Sequence, residues 1–131
     1  REGNMKKFIK IVADILLVIV LVMAAVLYIP RLMGLKTYKV LSGSMEPEYH
    51  VGSVVYVEKS LIDDIEVGDV ITFYINDNTV VTHRVVDKDD DTESFRTKGD
   101  ANEIEDGGSV AYDKVVGKVV LNVPYLGYIL R

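Results

Sequence analysis

Apolar positions along this chain follow two different patterns. From Ile11 to Ile29 they form one run of nineteen residues, interrupted only by Asp14. At 1.5 Å per residue, a helix of that length nearly matches the roughly 30 Å hydrocarbon core of a bilayer. Pro30 is expected to end it, and no second stretch with helical period follows. Beyond Lys36 the pattern changes to short, valine-rich segments bounded by polar turns, which is the period of β-structure. "VGSVVYVEK" (51–59), "GDVITFYI" (68–75), "TVVTHRVVD" (79–87) and "SFRTKGD" (94–100) each read as strands. The second and third are separated by Asn76-Asp77-Asn78, a hairpin composition. "VVGKVVLNVPYLGYIL" (115–130) is a further β-rich segment, with Pro124 expected to place it at an edge or to bend it.

This divides the chain into a tail (1–10), a transmembrane helix (11–29) and a β domain (36–131). The run "VLYIPRLMG" offers no small-x-small cleavage site, so the span reads as a retained anchor, not a removable signal peptide. Lys6, Lys7 and Lys10 precede it, and Arg31, Lys36 and Lys39 follow it. The positive-inside rule therefore barely decides the orientation. The short tail favours a cytoplasmic N-terminus, with the β domain on the extracytoplasmic side of the cell membrane. Arg1–Asn4 read as a cloning remnant ahead of Met5, and Asp14 is expected to snorkel to the interface. Tyr125 and Tyr128 suit either a membrane boundary or an ordinary core strand.

Net charge is −5, and residues 87–106 alone carry nine acidic side chains against three basic ones. No basic stripe is present, which argues against nucleic acid as a partner. Without cysteine there is no disulfide framework and no thiolate metal site. Asp87, Asp89 and Asp91 alternate like the start of a calcium loop, but Thr92 and Lys98 stand where that loop needs glycine and glutamate. No metal or other cofactor is expected.

Two histidines are available as bases. His50 lies in the polar connection "EPEYHVGS" and reads as an exposed loop residue. His83 lies within a strand, where alternation puts it on one face with Val81 and Val85, and Thr82, Arg84 and Val86 on the other. A serine hydroxyl becomes a useful nucleophile when such a base takes its proton and a third group orients the base. Ser44, after Ser42 and Gly43, is the candidate nucleophile. Asp100 and Asp106 are candidate orienting groups.

Taken in order, "SGSMEP" (42–47), "GDVITF" (68–73), "THRVV" (82–86) and "TKGDANEIED" (97–106) resemble the box series of the type I signal peptidases. Most bacterial members carry lysine where His83 stands. Histidine there marks the endoplasmic-reticulum-type branch, which also occurs in archaea and some Gram-positive bacteria. Departures from the family pattern are Ser53 after Gly52 and Ala101 before Asn102. The resemblance implies a compact antiparallel β domain tethered by one membrane helix. It implies a serine endopeptidase that removes signal peptides from secretory preproteins, cutting after small residues.

Roles follow from the same resemblance. Ser44 attacks, His83 is the general base and then the acid, and Asp106 orients His83. The Ser44 N–H and the Ser42 hydroxyl form an oxyanion hole. Gly43 permits close approach through an unusual φ, and Met45 walls a shallow pocket. Independently of the resemblance, the cations Lys98 and Arg84 near Asp100 offer it a structural role, pinning its turn to the His83 strand by an ion pair. The bilayer and signal-peptide-bearing chains are the implied partners; association with secretion machinery is left open. Two other readings stand beside this one: a self-cleaving repressor-type peptidase, whose usual lysine base and DNA-binding domain are missing here, and a membrane-tethered binding or assembly subunit with a degenerate site.

Overall fold

A computed structural model describes residues 2–128. Among them the chain forms one α-helix, seven strands and several single 3-10 turns. Helix α1 spans Glu2–Leu32. It is longer at both ends than the apolar run, and Pro30 lies inside its last turn. Proline forfeits its own N–H bond to the preceding turn but leaves the residues after it free to stay helical. The stop comes instead at Gly34, whose φ of +83° lets its N–H reach the carbonyl of Arg31 at 3.0 Å. By length and composition α1 can cross a membrane: its most apolar window has a mean hydropathy of 2.9, and none of that window is buried.

Residues 35–131 form a separate unit with its own core. Its strands are β1 (Lys36–Lys39), β2 (Val54–Glu58), β3 (Val70–Asn76), β4 (Thr79–Asp89), β5 (Ser94–Lys98), β6 (Val110–Ala111) and β7 (Val115–Val123). They build one sheet in the order β1-β2-β7-β3-β4-β5-β6, with every pairing antiparallel. Strand β7 is therefore central, not at an edge. Pro124 is compatible with that place because it falls just beyond Val123, where no ladder bond is needed. The chain then turns through a 3-10 turn at Leu126–Tyr128. Leu126 is buried, whereas Tyr125 and Tyr128 are exposed, so of the two readings open for this stretch the core strand does not hold at these tyrosines.

Strands β2 and β3 are covered on both faces along much of their length, whereas Val120 and Leu121 of β7 between them stay exposed. Val54, Val55, Tyr56 and Val57 are all buried, and so are Val70, Ile71, Thr72 and Phe73. Strands covered on both sides read as continuous apolar runs, as "VVYV" and "VITF" do. Thr72 fits this setting because its hydroxyl pairs with Thr82 across the strands at 2.7 Å. One cluster, Ile65, Ile71, Phe73, Val85, Phe95 and Val110, anchors the β3–β4–β5 side. Loss of a ring such as that of Phe95, fully buried there, costs about 3–5 kcal/mol.

The expected Asn76–Asn78 turn joins β3 to β4, with the Asn78 N–H donating to the Asn76 side chain at 2.9 Å. Strand β4 pairs with β3 from Thr79 to Arg84, but β5 joins its other side only from Arg84 onward. Among the described residues, the Thr79–His83 stretch thus has one paired side and one open side.

Candidate active site

Ser44 sits in a 3-10 turn, Gly43–Met45, that follows β1. Met45 roots the turn: it is buried, and its sulfur accepts the Asp100 N–H at 3.4 Å. The Ser44 carbonyl accepts the N–H of Ala101 at 2.8 Å. The segment after β5 therefore grips the serine turn from the far side of the sheet.

The expectation for Gly43 needs correction. It is not among the residues with positive φ, and a side chain there would meet only ordinary contact with Glu46. A 3-10 turn uses ordinary right-handed dihedrals, so it makes no such demand. The close approach falls at Gly99, where an added Cβ would lie 2.7 Å from both the Ser44 carbonyl oxygen and the Asn102 side chain.

His83 projects from β4 onto the face shared with Val85 and is nearly buried, with 8% of its surface exposed. Its Nε2 lies 3.0 Å from the Ser44 Oγ. Its Nδ1 lies 2.6 Å from the Asp106 Oδ2. In the tautomer with the proton on Nδ1, the ring donates to Asp106 and accepts the Ser44 hydroxyl proton at Nε2. The Phe73 ring stands edge-on to the imidazole, with centroids 6.4 Å apart, and walls it from below. The Ser42 and Ser44 hydroxyls are 3.1 Å apart.

The two aspartates part company. Asp106 meets the imidazole, while Asp100 meets Arg84 in a two-pronged pair, Nε to Oδ1 at 2.8 Å and Nη2 to Oδ2 at 2.7 Å. Arg84 also donates to the Gly68 carbonyl. Hydrogen bonding to Arg84 holds the Asp100 carboxyl below the usual carboxylate range against the opposing effect of burial. The same bond raises Arg84 further above its ordinary value. His50 stands apart, exposed and beside Glu46. At the end of β4, Asp87 pairs with Arg96, and Asp89 accepts the N–H groups of Asp91 and Thr92 in the turn that follows.

One contributor escaped the sequence reading. Thr97, fully buried on β5, donates its hydroxyl to the Asp106 Oδ2 at 2.6 Å. A threonine in a strand is unremarkable on sequence grounds. Only the β4–β5 register, which sets Thr97 opposite Val85, brings it to the His83 face.

A cleft of about 710 Å³ opens beside Ser44, between the chain following β1 and the open side of β4. Tyr38, Leu41, Met45, Val55, Val80 and His83 are among its lining residues. A second cavity, about 490 Å³, borders His83, Thr97 and Asp106, with Lys114 at its wall.

Comparison with known proteins bears on this arrangement. The family model described as signal peptidase, peptidase S26, matches residues 10–100, more than half of the chain. The chain belongs to the peptidase S26 family. The family match holds Ser42, Ser44, His83, Arg84 and Asp100, while Asp106 lies just beyond it. Signal peptidase I W of Bacillus subtilis (strain 168) is 38% identical over 120 residues, covering 81% of this chain and 63% of its own length. The signal peptidase complex catalytic subunit SEC11 of Fusarium vanettenii is 35% identical over 101 residues, 69% of this chain and 59% of that protein. SEC11C of Homo sapiens is 34% identical over 101 residues, with 69% and 53% covered. The S26 chain described here thus spans less than two thirds of the length of these relatives.

Proposed function

We propose that this S26 chain is a membrane-anchored serine endopeptidase that removes signal peptides from secretory preproteins. The observation that carries the reading is the relay from the Ser44 Oγ through His83 to Asp106, with gaps of 3.0 and 2.6 Å. In the proposed reaction Ser44 attacks the scissile carbonyl as His83 takes its proton. Asp106 holds the ring and stabilises its cationic form. His83 then returns the proton to the leaving amine, and a water releases the acyl-enzyme by the same route. The Ser44 N–H and the Ser42 hydroxyl stabilise the oxyanion, a contribution of about 2.7–4 kcal/mol for a donor of this kind.

Substrate would enter as an extended strand against the open side of β4, with small side chains facing the cleft beside Met45 and Val80. Residues 11–29 serve as the membrane span, 1–10 as a cytoplasmic tail and 36–131 as the catalytic domain on the extracytoplasmic side. The names of the bacterial and eukaryotic relatives, signal peptidases by description, support the substrate class. The test is incubation of the full chain in detergent with a preprotein, followed by sequencing of the new N-terminus. Wild type should cleave once, after a small residue, and Ser44→Ala should be inert. Cleavage by both proteins, or by neither, overturns the reading.

A further inference from the structure

Asp106 comes from residues 99–109, a stretch without regular secondary structure that connects β5 to β6, and its side chain keeps 28% of its surface exposed. Nothing in such a segment would by itself fix a carboxylate to the accuracy that an orienting group needs. Two bonds from a single residue supply the constraint. The Asp106 N–H donates to the Thr97 carbonyl at 2.9 Å, and the Thr97 hydroxyl donates to the Asp106 Oδ2 at 2.6 Å. That same oxygen faces the His83 Nδ1, also at 2.6 Å. Two donors thus converge on one carboxylate oxygen, one of them from a fully buried, β-branched strand residue whose χ1 is stiff.

We propose that Thr97 is a positioning residue for the reaction, holding the Asp106 carboxylate in line with the imidazole of His83 and setting how strongly it attracts the proton there. This rests on the serine-peptidase reading of the site. The first effect is on orientation: without the hydroxyl, the carboxylate keeps facing the imidazole but can turn together with it, which tilts Nε2 out of line with the Ser44 Oγ. The second is on charge. A donor on the Oδ2 disperses its negative charge, so removing that donor leaves a more basic oxygen facing the ring. The imidazolium is then favoured, and His83 keeps its proton to higher pH. Other charged groups near the ring are Asp100 with its partner Arg84, Lys39 in the cleft beside Ser44, and Lys114 at the wall of the neighbouring cavity.

The test compares Thr97→Val, which keeps the branched shape and removes the hydroxyl, with Thr97→Ser, which keeps the hydroxyl. Thr97→Ala replaces the valine variant should that fail to fold. In the full chain, Thr97→Val should lower kcat by about 10- to 100-fold with KM within about twofold, as for a small misplacement of a reacting group. The acid limb of its rate profile should move to higher pH. Thr97→Ser should restore most of the turnover. The chain contains only two histidines, so NMR titration reads His83 directly with His50 as internal reference. The His83 midpoint should rise in Thr97→Val and not in Thr97→Ser. This arm needs no substrate, so it stands even if wild type cleaves no preprotein. An unchanged His83 midpoint in Thr97→Val, or a serine variant as impaired as the valine one, overturns the proposal. So does a loss of activity that only follows a lowered melting temperature.

Discussion

Asp100 and Asp106 lie six residues apart, yet their surroundings assign them different work. Asp106 faces only an imidazole and a hydroxyl, so its charge is available to the ring; Asp100 is saturated by a guanidinium. Asp106→Asn is expected to leave the fold intact and lower turnover by about 10⁴-fold, because an amide favours the wrong tautomer of the ring. Asp100→Asn is expected to act on stability, with a smaller loss of turnover through loosening of the Ser44 grip. The pH dependence follows from the direction of the Asp100 shift. Its folded value lies below its unfolded one, so the stabilisation is complete at neutral pH. It begins to fall as pH drops to about 4, where the unfolded carboxyl binds a proton, and is gone below the folded value. Melting temperature measured against pH should therefore decline less steeply below pH 4 in Asp100→Asn than in wild type. If Asp100→Asn abolishes turnover at unchanged melting temperature while Asp106→Asn is near wild type, the assignment is reversed. Both aspartates were legible in sequence because the family resemblance singles them out from the four carboxylates of "KGDANEIED", and Arg84 marks the partner of one. Thr97 was not, since its part depends on a cross-strand register that no local pattern encodes.

Among the elements, the junction between β5 and the serine turn bears most directly on the site. Gly99 passes over the Ser44 carbonyl with no room for a side chain, and Ala101 bonds to that same carbonyl. Gly99→Ala should push the serine turn away from β4, lowering kcat by about 10²-fold or more for a displacement near 1 Å. Gly43→Ala, with only ordinary contact in prospect, should cost far less. Side-by-side turnover of the two variants checks this, and the opposite ranking would restore Gly43 to the role first expected of it. The long hairpin β3–β4 could be read from its alternation and its Asn-Asp-Asn turn. Strands β1 and β6 could not: four and two residues are too few for a period, and neighbours distant in sequence hold them in place. The central place of β7 was hidden for a similar reason. The proline after it argued locally for an edge or a bend; the bonds to β2 and β3 exclude the edge, and the chain turns at Pro124.

At the scale of the whole molecule, an exposed apolar helix is joined to a unit with its own core. The β unit, residues 35–131, should keep its melting temperature when residues 1–34 are removed, and should still hydrolyse a short soluble peptide. On a preprotein embedded in vesicles it should be slower than the full chain by about 10²-fold, the effective concentration that a shared membrane supplies. Equal rates on both substrates would show that the helix contributes nothing to encounter. The sheet order has a further consequence, for the order of synthesis. Strands β1 and β2 can pair as they emerge, and so can β3, β4, β5 and β6, because each lies beside its chain neighbour. The two groups have no ladder between them until residues 115–123, made after all of them, thread into the gap. Ser44 follows the first group's opening strand, and His83 and Asp106 belong to the second. A nascent chain therefore holds Ser44 apart from His83 and Asp106, and the proposed relay closes only when the latecomer strand is seated.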